Sequence, residues 1–402
     1  MVYQPILDFI KTLYPDKPVI ALHEPSFFGN EKKYVLECID STFVSSVGPF
    51  VGRFEQIVAD FVSQRRDPRL RGDDNATEVR AVACVNGTAA LHLALVVAGV
   101  KAGDEVITQP LSFIATANPI VYIGASPVFV DVDPDTLGLS PKALRHFLET
   151  QTHAEPGSAK RLNNSTNKQI KACVPMHTFG NPCRIDEIVE ICNEFNIIVI
   201  EDAAESIGSY YKGRHTGTFG QMGVLSFNGN KTITTGGGGM VITDNRQLAT
   251  FLKHLSTQAK VPHPCEFAHD AIGYNYRLPN INAALGVAQM ENLDLILKSK
   301  RLVAQKYFDF FAEKGIRTIK EISHARSNFW LNGIFLADKT QRDEFLQLAN
   351  SQGVHCRPAW NLLPTLPMYR NFQCEDITNA QRISDTLVNV PSSPIGQLQA
   401  FV

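Results

Sequence analysis

Lys231 stands in the segment GVLSFNGNKTITTGGGGMVIT, after an apolar run that ends at Ser226 and ahead of four consecutive glycines, Gly236 to Gly239. A lysine amine attacks carbonyl carbon when it is desolvated enough to keep part of itself neutral, and glycine lets neighbouring backbone approach the reacting group. Two phosphate-binding readings of this segment fail. NKT resembles the end of a nucleoside-triphosphate loop, but Asn230 stands where that loop needs glycine. GGGGM runs into a strand-like segment and not a helix, which excludes a dinucleotide fingerprint.

Three further segments supply the groups that such a lysine needs. In NIIVIEDAAESIGS an apolar run ends at Glu201 and Asp202, and in open α/β sheets ligands gather at the carboxyl ends of strands. A carboxylate there suits a ring nitrogen that must stay protonated, as in pyridoxal phosphate. In VNGTAALHLAL a strand gives way at Gly87 and Thr88 to a helical run, and helix N-terminal N–H groups with a hydroxyl beside them make a phosphate site. In QPLSFIATAN the ring of Phe113 follows a strand and can stack on a planar cofactor. His177, in PMHTFGNP, also falls near a strand end, where a structural role fits as well as a functional one.

The elements that must position these residues follow from the pattern of apolar runs. RAVACV, DEVIT, SPVFVDV, KACVPM and NIIVI are short, nearly uninterrupted and separated by helix-like stretches. That alternation predicts buried strands joined by crossovers, hence an α/β fold with a mostly parallel sheet. The pattern fades after about residue 245 and helical stretches take over, which predicts a large domain over 1–279 and a smaller α+β domain over 280–402. SQRRDPRLRGDDNATEVR, from Ser63, reads as a charge-dense surface loop, and its RGD triplet as a chance match. The sequons at Asn75, Asn86 and Asn163 carry little weight without a secretory route.

A chain of 402 residues with 44% hydrophobic and 19% charged residues has the make-up of a globular enzyme, and a formal charge of -2 gives no basic surplus for nucleic acid. Its eight cysteines form no CxxC pair and no His/Cys cluster at metal spacing, so they read as reduced cytoplasmic thiols with no metal site. The N-terminal stretch mixes acids and lysines with apolar residues, unlike a signal sequence, and no apolar run approaches the ~20 residues of a membrane span.

Taken in order, FVSSVGPFVGRFE, GTAALHLAL, EDAAESIGSYYKGRHTGTFG, SFNGNKTITTGGGGM, GYNYRLPNINAALGVAQM and RPAW make the chain resemble the DegT/StrS-type nucleotide-sugar aminotransferases along nearly its whole length. The resemblance implies the aspartate-aminotransferase fold, with a seven-stranded sheet in the large domain. It also implies pyridoxal 5'-phosphate held by Lys231 as a Schiff base, with Lys231 moving the proton between sugar and cofactor. Asp202 then pairs with the ring nitrogen, Phe113 stacks on the ring, and Gly87, Thr88 and Ser226 hold the phosphate. Asn275 reaches the phosphate of a neighbouring subunit, which implies a homodimer with shared active sites. Tyr276 and Arg277 of the partner, with Arg357 and Trp360, are the residues nominated for the nucleotide-sugar substrate.

Three positions depart from the family's common pattern: Glu205 replaces a glutamine beside the cofactor, Gly237 a glutamate, and Asn228 a histidine. This variant set, with HARSNFWL, is similar to the branch that aminates UDP-4-keto-6-deoxy-N-acetylglucosamine on the route to bacillosamine and legionaminic acid. L-glutamate is the amino donor that this resemblance implies. Related dehydratases place histidine at the lysine position, so Lys231 counts against that chemistry. A regulator that kept only the fold would have no need of Lys231, Asp202 and Ser226 together.

Overall fold

The structure, a computed structural model, describes residues 3–64 and 78–396. The RGD triplet, Asn75 and most of the charge-dense stretch lie outside the described residues. Seven strands make the central sheet: β1 (Arg80–Cys84), β2 (Glu105–Thr108), β3 (Ser126–Phe129), β4 (Ile170–Val174), β5 (Ile198–Asp202), β6 (Met222–Ser226) and β7 (Gly239–Thr243). Their order is β1-β7-β6-β5-β4-β2-β3. β7 runs antiparallel to both of its neighbours and the other adjacent pairs are parallel. Every strand except β7 therefore points the same way, and the ends of β1, β5 and β6 open on one edge.

Alternate side chains of the strands enter opposite faces, as the pleat demands. Ala83, Leu225, Met240 and Ile242 pack in one apolar cluster beneath helices α2 (Glu31–Asp40), α3 (Pro49–Ser63) and α9 (Asn280–Glu291). Val82, Cys84, Val224 and Val241 pack in the other, with α4 (Gly87–Val97) and α8 (Arg246–Ser256). Burying both faces explains why the strands read as continuous apolar runs.

The C-terminal part carries a four-stranded antiparallel sheet of β8 (Arg317–Thr318), β9 (Asn332–Phe335), β10 (Arg357–Pro358) and β11 (Leu387–Val390), ordered β8-β9-β11-β10. Val303, Tyr307 and Phe311 of the long helix α10 (Leu293–Glu313) pack against it. The apolar packing does not divide at residue 280. Ala283, Ala284 and Val287 of α9 belong to the cluster of the large sheet, whereas Ile6, Leu7 and Ile10 of the N-terminal helix α1 (Gln4–Leu13) join the C-terminal core. A helix with small residues on several faces can fill a groove beside another layer, and sequence order alone does not say which layer that is.

Candidate active site

The ends of β1 and β6 are drawn together by one residue. Cys84 and Ser226 both pair with Gly239, the first residue of β7, so the turn after β1 lies beside Ser226. A Cβ at Gly239 would stand 2.3 Å from the Asn86 carbonyl oxygen, and one at Gly87 would stand 3.0 Å from Ser226 Cβ. Glycine at both places is what lets three backbone segments converge. Asn86 caps α4, its side chain accepting the Ala89 N–H at 2.7 Å. The first-turn N–H groups beyond it have no acceptor within the helix and carry the positive end of its dipole.

Asp202 ends β5 and is 5% exposed. Its Oδ2 accepts the Thr116 hydroxyl at 2.6 Å and its Oδ1 the Ala204 N–H at 3.1 Å, so the carboxylate is fixed from two sides. Thr116 lies in α5 (Ile114–Tyr122), one turn beyond Phe113, the N-cap of that helix. Nothing about Thr116 in the sequence marks it as a site residue. Its only sequence signal is its place in the same strand-to-helix turn as Phe113.

Lys231 is 12% exposed at its side chain, and its Nζ lies 3.0 Å from Glu205 Oε1. On another side the amine stands 4.1 Å from the ring centroid of Trp330. Trp330 is itself anchored: its indole N–H donates to the Asn230 carbonyl at 2.7 Å and its backbone N–H to Asn328 Oδ1 at 2.8 Å. The buried Lys300 Nζ donates to the Trp330 carbonyl at 3.1 Å and to that of Ser392 at 2.8 Å. Burial pushes the Lys300 amine well below the usual lysine range. Asn328 spans the gap to the other wall, donating to the carbonyls of Glu205 and Ile207, each at 2.9 Å. The run HARSNFWL thus ties the C-terminal part to the lysine turn, a role that its sequence alone does not disclose.

Glu205 is buried, and its second oxygen accepts the Phe179 N–H at 2.9 Å. Burial pushes its carboxyl up to about 7, with Lys231 pulling the other way. These groups surround a cavity of about 330 Å³ lined by Gly87, Thr88, Phe113, Asp202, Glu205, Ser226, Lys231 and Trp360 among the expected residues. Asn86, Thr116, Asn230 and Trp330 join them. Phe113 is half exposed at the rim, and Trp360 packs on Phe179 with ring centroids 4.6 Å apart.

Four nominated residues do not line this cavity. Asn275 is exposed and bridges Thr257 through the backbone. The Tyr276 hydroxyl bonds to His92 Nδ1 at 3.1 Å, and Arg277 Nε is buried without a hydrogen-bond partner. Arg357 donates to Asn350 Oδ1 at 2.7 Å. His177 is fully buried outside the cavity, with Nε2 at 2.9 Å from Glu201 Oε2, which gives it a structural place. Asn163 is likewise buried, bonded to Glu105 and Gln373, so its sequon is inaccessible.

The residues present fit pyridoxal phosphate. The cradle that a Cβ at Gly87 would fill opens at a helix N-terminus beside the Ser226 hydroxyl and suits the phosphate. Asp202 offers an acceptor for a protonated ring nitrogen, and Lys231 an amine for the aldehyde carbon. A mixed seven-stranded sheet with this trio at one edge defines a pyridoxal-phosphate-dependent transferase of the aspartate-aminotransferase type.

The comparisons agree. The profile of the DegT/DnrJ/EryC1/StrS aminotransferase family matches residues 27–398. GDP-perosamine synthase of Caulobacter vibrioides is 36% identical over 381 residues, with 94% of each chain covered. GDP-perosamine synthase of Escherichia coli O157:H7 is 37% identical, covering 93% of each chain. Among solved structures, the aminotransferase TlmJ from Streptoalloteichus hindustanus superposes with a TM-score of 0.80 at 26% identity, again over 93% of each chain. The chain belongs to the DegT/DnrJ/EryC1/StrS family. It is a pyridoxal-phosphate-dependent sugar aminotransferase.

Proposed function

We propose that this enzyme moves the amino group of L-glutamate to the 4-keto carbon of a nucleotide-linked 6-deoxy sugar, UDP-4-keto-6-deoxy-N-acetylglucosamine being the substrate we favour. The observation that carries the transfer is the placement of the Lys231 amine and the Asp202 carboxylate around one cavity that ends in a phosphate-ready helix terminus. Bound pyridoxal phosphate supplies an electron sink for the carbon that loses or gains a proton. The chain's own groups do the rest. Lys231 holds and moves the proton, Asp202 keeps the ring nitrogen protonated, Thr116 orients Asp202, and Phe113 with Trp360 walls the site from water. The residues Lys231, Asp202, Ser226, Gly87, Thr88, Phe113 and Glu205 are proposed as the cofactor's contacts.

The enzyme is proposed to act as a cytoplasmic homodimer. Among the described residues that line the cavity, Lys231 is the one cation, whereas a nucleoside diphosphate needs cationic donors. Arg277, whose Nε has no hydrogen-bond partner, and the exposed Asn275 are proposed to serve a second copy's site, and a partner would cover the apolar surface exposed at Phe43, Val44 and Val47. All eight cysteines are free, and no described helix is long and apolar enough to cross a membrane.

SFNGNK, GGGGM and HARSNFWL favour the UDP sugar, and the naming of two relatives as GDP-perosamine synthases favours a GDP-linked 4-keto sugar as the second reading. Purified protein given pyridoxal phosphate and borohydride is expected to carry the reduced cofactor on Lys231 by peptide mass spectrometry, and Lys231→Ala to lose transamination. With glutamate and the two sugars offered in turn, mass and proton NMR of the product decide between them. A protein that takes up no cofactor sinks the whole reading, and turnover of the GDP sugar alone replaces the substrate.

A further inference from the structure

Lys231 and Glu205 form a buried acid–base pair with few competing donors. The amine nitrogen is 3.0 Å from Glu205 Oε1, and the Glu205 side chain is 1% exposed against 12% for Lys231. The other carboxylate oxygen accepts one N–H, from Phe179, whose φ of 56° lies in the left-handed region that bulky residues avoid. The loop carrying Asn328 and Trp330 packs on the same side, and of Glu205 the Asn328 amide reaches the backbone carbonyl and not the carboxylate. From its own segment Asp202 faces it as a second negative charge. The titratable groups facing Glu205 are Lys231, which favours its charged form, and Asp202, which opposes it, while the buried His23 faces Lys231 from the N-terminal segment.

We infer that Glu205 is the internal proton acceptor for Lys231. The step is Lys231–NH₃⁺ with Glu205–COO⁻ giving Lys231–NH₂ with Glu205–COOH: one N–H bond breaks, one O–H bond forms, and no solvent or co-reactant takes part. Its sense reverses when the amine again needs a proton. The inference rests on Lys231 being the reacting amine, and it assigns a task to the carboxylate that a neutral amide in its place cannot perform. A charged pair removed from water tends to relax into a neutral one, and one backbone N–H with one ammonium is a thin supply of donors for a buried carboxylate. The burial that pushes Glu205 up to about 7 brings its proton affinity into the range where it can exchange a proton at neutral pH.

The test is Glu205→Gln in the full-length protein, which keeps the shape and the acceptor for the Phe179 N–H but removes the charge and the proton site. With the protein free of cofactor, acylation of Lys231 by an amine-directed reagent at pH 8, followed by peptide mass spectrometry, is expected to be at least about tenfold slower in the variant, because the amine loses the internal base that takes its proton, whereas faster labelling would show that Glu205 only holds the proton on the amine and would overturn the inference. With pyridoxal phosphate bound, the pH midpoint of the cofactor's absorbance transition is expected to fall by about one unit, and Glu205→Asp to restore part of it. Labelling within twofold of wild type and an unmoved midpoint would overturn the inference while leaving cofactor uptake, and hence the proposed function, intact. If the variant fails to fold, carbon-13 NMR of wild-type protein labelled in its glutamate carboxyls reads the same group directly. A carboxyl titrating near neutrality and lost in Glu205→Asp supports the inference; every carboxyl titrating in the ordinary acid range refutes it.

Discussion

Two buried glutamates four residues apart show how donor count sets the charge of a carboxylate. Glu201 accepts the N–H groups of Gly217, Phe219 and Gly220 at 2.5 to 2.7 Å, together with His177 at 2.9 Å. Burial opposes its charge, yet His177 and then the N–H groups of Gly220 and Gly217 outweigh burial and hold it below the ordinary glutamate value. Burial also opposes charge on His177, but Cys183 and Glu201 together raise it. Glu205 is equally hidden but has one backbone N–H and one ammonium, and burial wins. The first pair is sealed and locks the end of β5 to the turn after β4 and to the loop at 217–220. The second opens on the cavity. One strand end therefore supplies both a fixed ion pair and a group able to exchange its proton.

The largest effect expected from breaking this contrast is on stability. Glu201→Gln leaves three backbone N–H groups facing a neutral amide and a buried imidazole without its counter-charge, and should cost about 3 kcal/mol at pH 7 in urea denaturation. Because Glu201 is held below its ordinary value of 4.5, its contribution is present above that pH and is lost as pH falls through the lowered value. The cost of the substitution should therefore shrink on acidification. An undiminished cost at low pH would mean that charge is not what the site requires.

Glu205→Gln should show the opposite sign. The unfolded chain releases this proton near 4.5 while the folded chain keeps it to about 7, so the folded state binds more protons in between and wild-type stability falls as pH rises through that window. Relative to wild type, the variant should gain on the order of 2 kcal/mol from pH 5 to pH 8. A relative loss over the same interval would place Glu205 in the class of Glu201.

Thr116→Val sharpens the comparison with the smallest expected effect. It removes the 2.6 Å bond that orients Asp202 without changing the side chain's shape. A bond to a charged group is worth about 1.5 kcal/mol, so pyridoxal phosphate should bind about tenfold more weakly in an absorbance titration. Unchanged affinity would show that the Ala204 N–H alone suffices to hold the carboxylate.

Much of the site was legible because strand-to-turn transitions are local events. The apolar runs marked where strands end, and Asp202, Ser226, Gly87 and Phe113 each lie within a few residues of such an end, on strands whose shared direction follows from crossover connections. The partner of Lys231 was less legible. Glu205 stands out in the sequence as a departure from a family pattern, but nothing in its neighbours announces that its oxygen lies against the amine.

The sequence by itself determined the layered α/β fold, the lysine, the carboxylate at the strand end and the phosphate-ready turn, since hydrophobic period and turn residues act over short spans. Only the tertiary structure decided what surrounds the amine. Trp330 lies a hundred residues along the chain from the Asn230 carbonyl that it bonds, and Asn328 reaches across 123 residues to Glu205. Contacts at that separation are chosen by the packing of the C-terminal part on the large sheet, and so are the burial and donor count that set the proton affinity of Glu205. Packing of this kind leaves no local pattern in the chain.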